Sequence, residues 1–465
     1  MRRDRAWLSV ILLLALALRL AAGLSQDAAV VYADAGGDAT WYLANGYALA
    51  SGFDDGRLPG YNPQLYPDGY PIRLRSLPTP PLYLLFVGLP QMLFAPEAAI
   101  IVIRVIQALL GAVTCFFAYR LACVVSGDRR AGLITAGVLA VSPAFVLETA
   151  QITTETLYIF LIAAALLLYV ELVNRRAFHP TSATPSTFWP LVLVGVLLGL
   201  ATLTRAVLLL FPLGLALHLL LVAGMRSGLR RAALLLAVYG LVVGSWTVYN
   251  LARWNRFIIA GEGFAAFLYI GATGQGWQGG DATDEALAEQ GALPPETEDQ
   301  QAIYLENAQA LIRSDPLGYL QRRIGQLANA HLQPHGTLLF GGAGIKELIG
   351  DWLREERTLS GLAALAQSPG FWPKLALYLL HYAGLILGLA GLWLMRRRWP
   401  VVLPLAGFML YVPLIHLALD AIPRYIFPTT LFWWVFAGIA LAYLWQMMRQ
   451  PERPGSFSYP AEMVD

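Results

Sequence analysis

The chain has 465 residues and a formal charge of +2, from 32 basic and 30 acidic side chains, a balance that excludes a general nucleic-acid binder. Charged residues make up 13% against roughly 25% in soluble proteins, and mean hydropathy is +0.56. A water-soluble globule cannot hide a composition that is 57% apolar, so the solvent is lipid and the fold an all-α polytopic membrane protein.

A bilayer core near 30 Å takes about 20 apolar residues per helical crossing. Runs of that kind occupy residues 7–24, 98–125, 131–147, 155–173, 189–204, 206–224, 232–249, 373–395, 399–419 and 425–448, which predicts about ten transmembrane helices. The first run contains Arg19 and is followed by no A-x-A site, so it reads as a retained signal anchor rather than a cleaved peptide. Residues 25–80 form the first outer loop, rich in Gly, Pro, Asp and Tyr. In that loop Asp34 precedes Asp38, and Asp38 starts an interfacial amphipathic helix carrying Tyr42, Ala44, Tyr47 and Leu49; Arg73 and Arg75 follow. The apolar stretch 81–95, bounded by Pro80, Pro81 and Pro96, is either an eleventh crossing or a segment in the interface.

Basic residues decide between those two. With 81–95 not crossing and Arg2, Arg3 and Arg5 inside, the clusters Arg129–Arg130, Arg175–Arg176, Arg226/Arg230/Arg231, Arg396–Arg398 and Arg449/Arg453 all fall inside. The short outer turns then hold only Arg205 and Arg424. This gives a multi-pass protein of the plasma or inner membrane with both termini cytoplasmic. Residues 1–250 form a membrane module and 251–372 a small, mostly helical outer-face domain; 373–449 hold the last transmembrane helices and 450–465 a cytoplasmic tail.

Charges within membrane segments are costly and mark function by default. Here Arg19, Arg104, Glu148, Glu155, Arg205, Asp420 and Arg424 all converge on the outer leaflet, with Asp34 and Asp38 just beyond. No comparable acids lie at mid-bilayer, where ion-coupled transporters bind. Several motifs lead elsewhere. Cys115 and Cys123 stand about 12 Å apart along a helix, too far for a disulfide. His331 and His335 have a metal-compatible helical spacing that Pro334 spoils, and His416 reads as a structural polar contact. Gly274-x-Gly276-x-x-Gly279 matches a dinucleotide fingerprint only formally, since no apolar helix follows it.

In order along the chain stand Leu18-Arg19-Leu20, Gly37-Asp38-Ala39-x-x-Tyr42, Ala48-Leu49-Ala50-Ser51-Gly52 and Pro80-Pro81-Leu82-Tyr83. Arg104-x-x-Gln107-Ala108-Leu109, Thr154-Glu155-Thr156-Leu157, Gly199-Leu200-Ala201-x-Leu203-Thr204-Arg205, Trp246-x-x-x-Asn250 and Arg424-Tyr425 follow. With these, the chain resembles the GT-C glycosyltransferases, in particular bacterial membrane enzymes related to protein O-mannosyltransferases and lipid A aminoarabinose transferases.

The resemblance implies transfer of a sugar from a polyprenyl-phosphate carrier to an acceptor hydroxyl on the outer face, with inversion. It implies Asp38 as catalytic base with Asp34 in reserve, and Glu155 as the second acid. Arg205, Arg424, Arg73 and Arg75 are candidates for the donor phosphate, and Arg104, Tyr42 and Asp420 complete the polar pocket. Partners are the carrier-linked donor, membrane lipid, and an acceptor lipid, glycan or protein; nucleic acid is excluded. No cofactor is implied, and the first loop has no DxD-type pair to favour a divalent metal. The competing classes are a lipid-linked glycan transporter or flippase and a non-enzymatic glycan-binding membrane protein.

Overall fold

Apolar chain with no water to hydrogen-bond its backbone closes those bonds within helices. The computed structural model describes residues 2–33, 38–52, 57–58, 70–71, 79–177, 187–261, 263–274, 298–355 and 357–449, and helices dominate them. The N-terminal half runs α1 (Arg2–Leu24), α2 (Ala28–Ala33), α3 (Asp38–Ala50), α4 (Pro81–Leu93), α5 (Pro96–Ser126), α6 (Arg129–Val141), α7 (Pro143–Glu148) and α8 (Glu155–Ala177). Next come α9 (Phe188–Thr202), α10 (Phe211–Ala223), α11 (Met225–Trp254) and α12 (Phe264–Thr273). The remainder is α13 (Glu298–Ser314), α14 (Pro316–Leu332), α15 (Ile345–Glu355), α16 (Leu359–Leu365), α17 (Phe371–Leu394), α18 (Trp399–Ala418), α19 (Pro423–Ile426) and α20 (Thr430–Arg449). Among the described residues the one β pairing joins Arg57–Leu58 to Tyr70–Pro71, antiparallel.

Eight helices are long and apolar enough to cross a membrane, against the ten predicted runs. The two others have identifiable reasons. Run 131–147 is broken at Ser142-Pro143, where α6 stops and α7 restarts. Run 189–204 becomes the 15-residue α9, about 22 Å long. Both still carry the chain from one end of the bundle to the other, because Arg205 after α9 and Asp38 after α1 meet the same ion-paired group that Glu155 joins at the start of α8. The stretch 81–95 yields the 13-residue α4, about 20 Å long and short of a crossing.

The interior is formed by α5, α8 and α20, whose buried apolar residues join one continuous cluster. On the outside, Leu13, Leu241 and Ile386 are 67%, 75% and 67% exposed, as lipid-facing side chains are. Helices α3 and α4 cross closely because both are glycine at the contact: a Cβ on Gly46 would stand 2.6 Å from the Leu84 carbonyl oxygen. Helix α14 docks on the end of α18, where the last-turn carbonyls have no helical donor. Arg323 donates to His416 O (3.0 Å) and Leu417 O (3.2 Å), and the Tyr319 hydroxyl to Ala418 O (2.9 Å).

Candidate active site

Glu155 is the first residue of α8, so its carboxylate sits where the helix dipole favours negative charge. It is fully buried and held by two arginines. Oε1 accepts from Arg205 Nη1 at 2.7 Å and from Arg424 Nε at 2.6 Å, while Oε2 accepts from Arg424 Nη2 at 3.2 Å. Arg424 Nη1 donates in turn to Asp38 Oδ2. The result is a chain of alternating charge, Asp38–Arg424–Glu155–Arg205, drawn from α3, α19, α8 and the turn after α9.

Access differs sharply along that chain. The Glu155 side chain is 0% exposed, those of Arg205 and Arg424 13% and 21%, and that of Asp38 60%. Of the two carboxylates in that chain, Asp38 is the one open to an incoming group. The Arg205 guanidinium lies 5.7 and 5.4 Å from the centroids of the Tyr158 and Tyr425 rings, within the range at which an aromatic face attracts a cation. Of its five N–H groups, the bond to Glu155 is the one formed among the described residues, so the rest of the fork is open to an anion.

Tyr42 follows Asp38 by one turn and packs edge-on against Tyr83, with centroids 5.1 Å apart. Burial pushes its phenol above the usual range, and the neighbouring Arg424 pulls it back. The predicted pocket residues Arg104 and Asp420 have different positions from Tyr42. Arg104 donates to the backbone carbonyls of Ala150 (3.0 Å) and Gln26 (2.8 Å), and so braces the loop before Glu155 from behind. Gln107, one turn on, completes that brace through Thr149 O (3.0 Å) and Gln151 O (2.7 Å), and accepts from the Tyr83 hydroxyl. Asp420 is buried in the turn before α19; burial raises its carboxyl pKa and Arg323 lowers it. Asp34, Arg73 and Arg75 lie outside the described residues.

Arg19 has a structural task with a local cause. Pro143 has no N–H to give to Leu139 O, four residues earlier. Arg19 Nη2 supplies that bond at 3.0 Å, and Nη1 serves Ala140 O at 3.1 Å. Sequence reasoning did not pair Glu148 with His335. His335 Nε2 lies 2.6 Å from Glu148 Oε2, and its ring packs 4.5 Å from that of Phe427. The two histidines of the rejected metal pair part company: the His331 carbonyl meets His381 Nε2 at 2.7 Å. Among the described residues no three His, Cys, Asp or Glu side chains stand close enough to hold a metal ion.

Residues 78–249 match the family model described as dolichyl-phosphate-mannose-protein mannosyltransferase, a stretch that holds Glu155 and Arg205. The oligosaccharyltransferase of Archaeoglobus fulgidus, solved with a tethered acceptor peptide, superposes with a TM-score of 0.52 at 17% identity, over 97% of this chain and 51% of that one. The fold is that of this archaeal membrane protein. The same archaeal protein, in complex with an inhibitory peptide and a dolichol-phosphate, gives a TM-score of 0.51 at 16% identity over 97% of this chain and 52% of that one. The chain thus spans about half the length of the oligosaccharyltransferase it matches. ArnT from Cupriavidus metallidurans, bound to undecaprenyl phosphate, aligns at 14% identity and a TM-score of 0.40, over 96% of this chain and 80% of that one. No curated protein matches the sequence significantly.

Proposed function

We propose that this protein transfers a sugar from a polyprenyl-phosphate carrier to an acceptor hydroxyl at the outer membrane face. The observation that carries the reading is the exposed Asp38 at the open end of an arginine-bridged chain whose other carboxylate is buried. An acceptor hydroxyl is a poor nucleophile at neutral pH, and a carboxylate within hydrogen-bond reach takes its proton as attack proceeds. The acceptor oxygen bonds to the anomeric carbon while the carbon–oxygen bond to phosphate breaks, with inversion. The proton goes to Asp38, and the electron pair leaves with the polyprenyl phosphate, an anion that needs no proton.

Arg205 and Arg424 bind that phosphate. Guanidinium forks match phosphate oxygens and stabilise the charge that grows on the leaving group. Glu155 holds the two cations side by side before the donor arrives; like charges so close repel without it. When the donor phosphate competes for Arg424, Asp38 is released from its ion pair and becomes the free base. Asp34 is the reserve base, and Arg73 and Arg75 are further phosphate candidates. The charge the reaction needs is thus supplied by protein cations, with no metal called for. Arg104, Gln107 and Arg19 keep the α6–α8 connection in register behind the site.

The test is transfer of radiolabel from polyprenyl-phosphate sugars to envelope acceptors. Asp38→Asn is expected to lower the rate roughly 10²–10⁴-fold with affinity for bare polyprenyl phosphate intact. Undiminished transfer by a folded Asp38→Asn protein removes Asp38 as the base.

A further inference from the structure

The charged cluster leaves one part of its surroundings unused, an aromatic box at the end of α11. Trp246 stacks on Tyr249 with centroids 5.1 Å apart and an interplanar angle of 11°. Trp254 stands edge-on to both, at 6.2 and 5.5 Å, just before the left-handed Asn255 (φ 54°) ends the helix. Leu203, Trp41 and Tyr42 pack into the same cluster as Trp246. Leu203 lies two residues before Arg205, and Trp41 and Tyr42 lie on the helix that Asp38 begins. The box is therefore contiguous with the phosphate and base residues.

Two polar atoms inside it have no partner. Trp246 Nε1, a donor, and Asn250 Oδ1, an acceptor, are both shut off from solvent and form no hydrogen bond. They sit one helical turn apart on residues that are 6% and 0% exposed. The amide nitrogen of Asn250 is already committed to Trp246 O at 2.7 Å. Native proteins pair more than nine in ten such groups, so two orphans of opposite kind one helical turn apart are a signal. Hydroxyls answer both kinds of group, accepting from an indole N–H and donating to an amide oxygen. A ring that presents hydroxyls at its edge and C–H bonds on its face fits a box of aromatic planes with a few fixed polar groups. Tyr249, 37% exposed, is the solvent-facing ring of the box, and exposed side chains change rotamer within nanoseconds.

We propose that Trp246 and Asn250 form the subsite that recognises the sugar of the carrier-linked donor, an assignment that rests on the transferase reading above. The phosphate then lies at Arg205 and Arg424, and the sugar extends towards α11 past Tyr42.

The experiment measures equilibrium binding to the full chain in nanodiscs, using polyprenyl-phosphate-mannose, polyprenyl-phosphate-glucose and bare polyprenyl phosphate. In the wild type at least one glycosylated carrier is expected to bind more tightly than the bare one. Asn250→Leu is expected to weaken that form roughly five- to tenfold, and Trp246→Phe by a few fold, with the bare carrier unchanged within about twofold. The ligand-free Asn250→Leu protein is expected to melt close to wild type, because removal of an unpaired acceptor offsets loss of the bond to Trp246 O. Equal loss for bare and glycosylated carriers, or a large fall in melting temperature, overturns the assignment in favour of a packing role. Unchanged affinities overturn it too, leaving the two atoms to a buried water. Wild type that binds no carrier at all sinks the transferase reading itself, a different result from binding that is blind to the sugar.

Discussion

Glu155 offers the most demanding test of the site's electrostatics. Glu155→Gln keeps the side chain's shape, removes its charge and turns an NH₂ towards two guanidinium groups. Three bonds of 2.6 to 3.2 Å pass from charge-assisted to neutral or are lost. At about 1 kcal/mol each, that is roughly 3 kcal/mol. The two arginines are also left without their shared counter-charge, and breaking a buried pair from one side costs about 3–5 kcal/mol. Their 13% and 21% exposure lets some water compensate, so about 3–4 kcal/mol is expected. The assay is denaturant unfolding of detergent-solubilised protein followed by tryptophan fluorescence, with Arg424→Gln and the double variant completing a cycle. A coupling of about 1–3 kcal/mol between the two positions is expected. Additive effects, or a Glu155→Gln protein within about 0.5 kcal/mol of wild type, refute the reasoning.

Arg205→Lys keeps the charge but loses the fork and the guanidinium contacts with the Tyr158 and Tyr425 rings; affinity for polyprenyl phosphate is expected to fall roughly tenfold, and equal affinity contradicts the assignment. Gly46→Ala drives a methyl group into Leu84 O at 2.6 Å and Val87 Cγ2 at 2.7 Å. About 1–3 kcal/mol of stability should be lost, and transfer should drop because α3 carries Asp38; full activity shows that the helix tolerates the shift. His335→Ala removes the partner of Glu148, with an expected loss of about 1–3 kcal/mol in unfolding experiments and a fall in transfer of less than about tenfold. A thousandfold fall makes His335 a participant in the reaction.

Charge sidedness and the positions of single ionisable residues made part of this arrangement legible. Asp38 at the head of a short helix, and Glu155, Arg205 and Arg424 at the ends of apolar runs, are local features, and the structure brings those four side chains together. The interruption at Ser142-Pro143 was also written in the sequence, since proline has no N–H to continue a helix. That Arg19 repairs the lost bond required knowing that α1 packs beside α6. Arg104 shows the opposite limit. An arginine in a membrane segment suggests an ion pair or a ligand, yet its shortest bonds here go to the Ala150 and Gln26 backbone carbonyls, which carry no residue-type signal. The contact of His335 with Glu148 joins positions 187 residues apart, and neither neighbourhood has a pattern that announces the other. Asn250 was visible as part of a motif, but its unpaired oxygen is a property of packing alone.

The central claim is that a carrier-linked sugar is transferred at the Asp38 end of the bundle and that this end faces outward. Turnover in sealed membrane vesicles of known orientation measures both at once, with radiolabelled polyprenyl-phosphate sugar confined to one side. Right-side-out vesicles holding the wild-type protein are predicted to pass label from the outer leaflet to envelope acceptors, and those holding Asp38→Asn to pass almost none. Label that stays on the carrier in both, or that moves only in inverted vesicles, contradicts the account.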